Sequence, residues 1–114
     1  MLRDNETLLD IAKATRSILA FIEGYDEHAF MKDEKTKSAV IHQLLIIREA
    51  VKRLSEVFRE MHHDIQWKPM ARMRDRLIHQ YDAVDWDEVW RTASVDVPKL
   101  SDDLKPLLPQ KKSE

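Results

Sequence analysis

The stretch RMRDRLIHQY, residues 72–81, joins a permanent cation, Arg74, to a titratable ring, His79. A guanidinium keeps its charge at any working pH and its fork matches the oxygens of a phosphate or carboxylate. An imidazole exchanges a proton near neutrality. Such a pair can hold an anion and move a proton beside it. Helical geometry sets them apart, however. At ~100° per residue, Met70, Met73, Leu77, Ile78 and Tyr81 share one apolar face, with Arg74 in its middle and His79 ~140° away.

Lys68, Arg72, Asp75, Arg76 and His79 cluster within ~100° on the polar side of the same helix. Asp75 precedes His79 by four residues, so its carboxylate can orient the ring and favour the charged form. The basic run suits phosphate, although a solvated helix face has the same composition. His79 alone also fits a helix-capping histidine. For Arg74 three readings stand: a side chain reaching solvent at the bundle edge, a salt bridge to another helix, or a cation in a cleft between subunits. Two chains about a twofold axis would bring both Arg74–His79 pairs around one groove.

The elements that must position these residues are helical. Asp4 or Asn5 is expected to cap a first helix, whose stripe of Leu8, Ile11, Ala12, Thr15, Ile18, Leu19 and Ile22 runs until Gly24. Residues 25–32 have no clear period and read as a connection. Asp33 is expected to cap a long second helix to about His62, with a seam of Val40, Leu44, Ile47, Val51, Leu54 and Phe58. Ile41 and Leu45 fall off that seam and suggest a second packing surface, in support of self-association. His62, His63 and Asp64 read as a solvated connection, since adjacent histidines diverge and no third metal ligand is near. The third helix starts around Pro69 and runs to about Tyr81. Asp85 with Glu88 starts a fourth helix carrying Trp86, Val89, Trp90 and Ala93 on one face. Asp96 and Pro98 restart or kink the chain, and Val97, Leu100, Leu104 and Leu107 form the last stripe.

Composition fits this reading. The 114 residues are 43% hydrophobic and 35% charged with a single glycine, which suits one helical bundle. With a net charge of −2 the whole molecule is no polyanion binder, so any affinity for phosphates must be local. The chain has no cysteine and hence no disulfide or thiolate chemistry. It shows neither a signal peptide nor a membrane span, so a cytoplasmic protein with no membrane association is expected. The expected boundaries are a helical domain over 1–108 and a polar, disordered tail over 109–114.

Arg74, His79 and Tyr81 form the pattern R-x4-H-x-Y with a polar residue after the arginine. This resembles the signature of HEPN-domain ribonucleases, specifically the HepT-like toxins. The surroundings carry the resemblance further. SAVIHQLLIIREAVKRLS is similar to the family's long second helix, IQWKPMARMRDRLIHQYDAVDWDEVW to its motif helix and tryptophan-bearing segment, and VPKLSDDLKPLL to its closing helix. The likeness covers about residues 5–108. The chain departs from the family at Arg48 before Glu49 and at Ala71, where glycine is common, and at Gln66, where proline is common.

The resemblance implies an all-α, HEPN-type antiparallel bundle of four to five helices that forms a twofold homodimer. It implies a metal-independent RNA endonuclease without cofactors, with His79 as general acid/base, Arg74 stabilising the phosphorane and Asp75 in support. Lys68, Arg72 and Arg76 would bind the RNA, a tRNA or an mRNA. The implied partner is a minimal nucleotidyltransferase (MNT) antitoxin that AMPylates Tyr81. The rivals are a non-catalytic HEPN module that binds a nucleotidyltransferase or a nucleotide, and a dimeric helical adaptor in which Arg74 is merely salt-bridged.

Overall fold

The computed structural model describes residues 2–67, 70 and 84–109. Within them the chain is helical, without strands. In order come α1 (Leu2–Ile22), α2 (Glu27–Lys32), α3 (Glu34–Arg53), α4 (Glu56–Met61), α5 (Trp86–Arg91), a π-helical turn (Thr92–Asp96), α6 (Val97–Leu104) and a closing 3-10 turn (Lys105–Leu107). The main contact is between α1 and α3, and α6 packs on α1 beside it. The expected third helix, from Pro69 to Tyr81, lies outside the described residues, apart from Met70.

The first stripe behaves as its spacing predicts. Leu8, Ile11, Ala12, Thr15 and Ile18 are buried, and Leu19 and Ile22 pack against the core. Gly24, at φ 81°, then reverses the chain in a conformation that a side chain would resist. The cap differs from expectation. The helix already begins at Leu2, and Asp4, only 3% exposed, instead holds Ser55, the N-cap of α4. Its carboxylate accepts the Ser55 backbone N–H at 3.0 Å and the Ser55 hydroxyl at 2.8 Å, while Ser55 Oγ accepts the N–H of Phe58.

That contact explains why the expected helix from Asp33 to His62 is two helices. Asp33 does cap α3, accepting the Thr36 N–H at 3.0 Å. Leu54 and Ser55, however, are extended, with ψ 141° and 153°. Asp4 takes the Ser55 N–H that a continuous helix would have paired with Val51, and Ser55 starts α4 as its N-cap. A carboxylate 51 residues away thus overrides the local apolar period.

The segment 25–32 is not a plain connection, because α2 occupies most of it. Asp26 caps α2 by accepting the Ala29 N–H at 2.8 Å, and the helix buries Phe30 completely. Ile41, expected on a second surface, is only 6% exposed and belongs to the core of this chain. On α3 the buried set includes Lys37, Ile41, Leu44, Arg48 and Val51 as well as Val40 and Ile47. The buried face is therefore wider than one seam. Leu45 is half-buried and lines a groove between α1 and α3 with Asp10, Lys13, Ala14, Ile46, Glu49 and Arg53.

After Asp85, which accepts the Glu88 N–H at 3.2 Å as expected, the chain does not restart at Asp96. It passes through the π-turn, with the Val97 N–H bonded to the Thr92 carbonyl. The cause is Pro98, which cannot donate to Ser94 and whose ring would collide with the Ser94 carbonyl in a regular helix. The widened turn removes the clash and keeps Val89, Ala93, Val97, Leu100 and Leu104 buried.

Three outcomes follow from this packing. Asp4→Ala should cost roughly 1–3 kcal/mol in urea unfolding, since it leaves the start of α4 without its charged acceptor. The Ser55 N–H holds the Asp4 carboxyl below its usual 3.8, against the effect of burial. Its contribution is complete above pH 3.8 and is lost as pH falls through the lower folded value, so Asp4→Asn should flatten the acid limb of stability. Ile41→Asp should lower stability by roughly 3 kcal/mol or more, because it buries a charge. Circular dichroism melts should show that loss even in dilute protein, where association plays no part.

Candidate functional site

Arg74, Asp75, His79 and Tyr81 lie outside the described residues, as do Lys68, Arg72 and Arg76. What the structure defines is the frame on either side of them. Each side is built around one tryptophan.

On the approach, α4 presents Phe58, whose ring meets His62 at 4.6 Å and 45° and Trp67 at 6.3 Å and 56°. The Trp67 indole N–H donates to the His62 carbonyl at 3.2 Å, and the Ile65 N–H donates to the same oxygen at 3.1 Å. Ile65, Trp67 and Met70 are all buried, Met70 at 1% exposure. Met70 thus takes the core position that its apolar stripe predicts. The two histidines diverge, with His62 against Phe58 and His63 placing Nδ1 3.0 Å from the Glu60 carbonyl. They close the end of α4.

On the exit, Asp85 fixes the start of α5 and Trp86 packs against α2 and α3. Phe30 meets Trp86 at 6.4 Å and 64°, edge to face, and Trp90 at 5.0 Å. Lys37 is 8% exposed and sets Nζ 4.6 Å from the centre of a Trp86 ring. The same ammonium donates to Glu34 Oε2 at 3.2 Å and to the Met31 carbonyl at 3.4 Å. At the surface Glu27 and Asp87 bridge α2 and α5 through a shared hydrogen bond, which raises the Glu27 carboxyl above its usual 4.5.

A second buried cation, Arg48, sits on α3 with Nη1 2.9 Å from the Glu49 carboxylate. Arg48 was a departure from the resembled pattern, and Lys37 was not singled out at all. A signal for both was present: 37, 41, 44, 48 and 51 step by four and three, so two cations share a stripe with Ile41, Leu44 and Val51. The groove between α1 and α3, about 580 Å³, carries both signs of charge, with Arg53 3.6 Å from Asp10. The tyrosine outside the motif, Tyr25, is engaged locally. It donates to Asp33 at 2.5 Å and accepts from Thr36 at 3.1 Å. That hydroxyl is the main reason the Asp33 carboxyl lies below its ordinary range.

Comparison with known proteins places this frame in a family. The chain is similar to "Probable ribonuclease HepT" of Thermococcus cleftensis, 44% identical over 93 residues, 82% of this chain and 84% of the other. It is 38% identical over 98 residues to "Putative RNase MJ0127" of Methanocaldococcus jannaschii, covering 86% and 78% of the two chains. With "Putative RNase TTE0752" of Caldanaerobacter subterraneus it shares 38% identity over 91 residues, 80% and 81% of the two. No solved structure matches the chain. The model of the family described as "Ribonuclease HepT-like" matches residues 11–107, a span that contains α2 to α6, most of α1 and the whole R-x4-H-x-Y segment. The chain belongs to the HepT-like ribonuclease family.

Proposed function

We propose that this protein is a metal-independent endoribonuclease of the HEPN type, active as a twofold homodimer. The observation that carries the reading is R-x4-H-x-Y at Arg74, His79 and Tyr81, inside the matched span 11–107. The ribonuclease names of the relatives support it.

The chemistry needs little beyond those groups. RNA brings its own nucleophile, the 2′-hydroxyl. Attack on the adjacent phosphorus forms a 2′,3′-cyclic phosphate and breaks the bond to the 5′-oxygen. His79 takes the 2′-hydroxyl proton or delivers one to the leaving 5′-oxygen, and Arg74 meets the charge that gathers on the phosphorane. Asp75 orients His79. Lys68, Arg72 and Arg76 hold the strand by its phosphates, and the twofold axis brings two such sets to one cleft. The catalytic unit is the helical domain over 1–108, and 109–114 is a tail outside it.

In the same reading the enzyme is a toxin, and its antitoxin is a nucleotidyltransferase that places AMP on Tyr81. The Tyr81 hydroxyl attacks the α-phosphorus of ATP, a phosphodiester forms and pyrophosphate leaves. The added negative charge beside Arg74 occupies the cation that an RNA phosphate needs, and the nucleotide fills the cleft.

His79→Ala and Arg74→Ala should each lower RNA cleavage by roughly 10²–10⁴ without lowering the melting temperature. Full cleavage by both variants, or loss of cleavage on adding a chelator, contradicts the assignment. Substitution of Lys68, Arg72 or Arg76 should instead weaken RNA binding and flatten its salt dependence. Light scattering should give the mass of two chains. Tyr81→Phe should cleave RNA normally and escape silencing by the nucleotidyltransferase. Intact-mass analysis of the co-expressed pair should show one AMP on the wild type and none on this variant.

A further inference from the structure

Lys37 is a buried cation held by Glu34, the Met31 carbonyl and the Trp86 ring. Its side chain is 9% exposed, whereas that of its acidic partner Glu34 is 77% exposed. An ion pair with so exposed a partner is weak, and taking the ammonium out of water is costly. Leucine or methionine at this place on α3 would pack against Trp86 without that cost. What an apolar side chain lacks is direction. A cation is drawn to the face of an aromatic ring and not to its edge.

Trp86 is held from two sides. Phe30, fully buried, meets it at an interplanar angle of 64°, and Lys37 lies over a ring face at 4.6 Å. Phe30 belongs to α2 and Lys37 to α3, so the indole plane is referred to two elements at once. Trp86 is also the first residue of α5, directly after its cap Asp85. In the chain it stands five residues after Tyr81, seven after His79 and twelve after Arg74.

We propose that Lys37 is a positioning residue: its charge fixes the plane of the Trp86 ring, and through Trp86 the point where the chain leaves the segment bearing Arg74, His79 and Tyr81. The catalytic part rests on the ribonuclease reading of that segment. The effect on Trp86 does not.

The test uses the full-length protein as Lys37→Met, which keeps the stem and removes the charge, and Lys37→Arg, which restores a cation. Lys37→Gln serves as a second neutral variant if the methionine protein does not fold. In the nitrogen-15 NMR spectrum the Trp86 indole resonance should shift and broaden in the neutral variant, return in Lys37→Arg, and leave the Trp67 line in place. RNA cleavage by the neutral variant should show kcat reduced about 2- to 30-fold, the span from an exposed to a desolvated cation–π contact, with KM unchanged and activity regained in Lys37→Arg. An unmoved Trp86 line in the neutral variant, or one that Lys37→Arg does not restore, overturns the proposal. A moved line with unchanged kcat in an enzyme that cleaves RNA overturns its catalytic part. If the wild type itself does not cleave RNA, the ribonuclease reading fails, and the indole line still decides whether Lys37 orients Trp86.

Discussion

The bundle is organised around the width of the buried face on α3. A helix that hides Val40, Leu44, Ile47 and Val51 on one seam and Lys37, Ile41 and Arg48 beside it cannot be satisfied by one neighbour. α1 covers much of it and α2 folds over its start, while Trp86 at the head of α5 comes down on Lys37. Removing that face from water is the main apolar contribution to the fold. The short elements exist because the long ones leave a gap that only they fill. Phe30 shows this best, since a helix of six residues has little stability of its own and forms around one fully buried ring.

The same arrangement anchors the chain on both sides of residues 68–83. Trp67 is tied by a ring contact to α4 and by a hydrogen bond to the carbonyl that ends that helix. Trp86 is tied to α2 and α3. Each anchor couples a large apolar surface to one directional contact, so each fixes orientation as well as position. Both anchors flank the segment that carries R-x4-H-x-Y. The family match spans both anchors and the segment between them.

Much of this was legible in the sequence. The stripes of α1, α3 and α6 appear at the predicted residues, and the caps at Asp33 and Asp85 are where short polar side chains precede apolar runs. Amphipathic period and capping are local properties, written within four or five residues of each position. The motif residues Arg74, His79 and Tyr81 lie outside the described residues, and their types and spacing carry the resemblance without any need of a fold.

Tertiary structure alone decided the rest. Asp4 looks like a cap for its own helix and instead holds Ser55, the N-cap of α4, because its carboxylate meets Ser55 only after α1 and α3 have packed. The break at Leu54 is invisible in a seam that runs unbroken to Phe58. Ile41 reads as surplus on one seam and is core once helices lie on both sides of it. Lys37 shares its stripe with apolar residues, but nothing local says that Trp86, 49 residues later, will lie beneath it. In each case the sequence determined what the residue can do, a carboxylate to accept, a methylene stem to pack, a cation to sit over a ring. The partner was set by long-range packing, which no local period encodes.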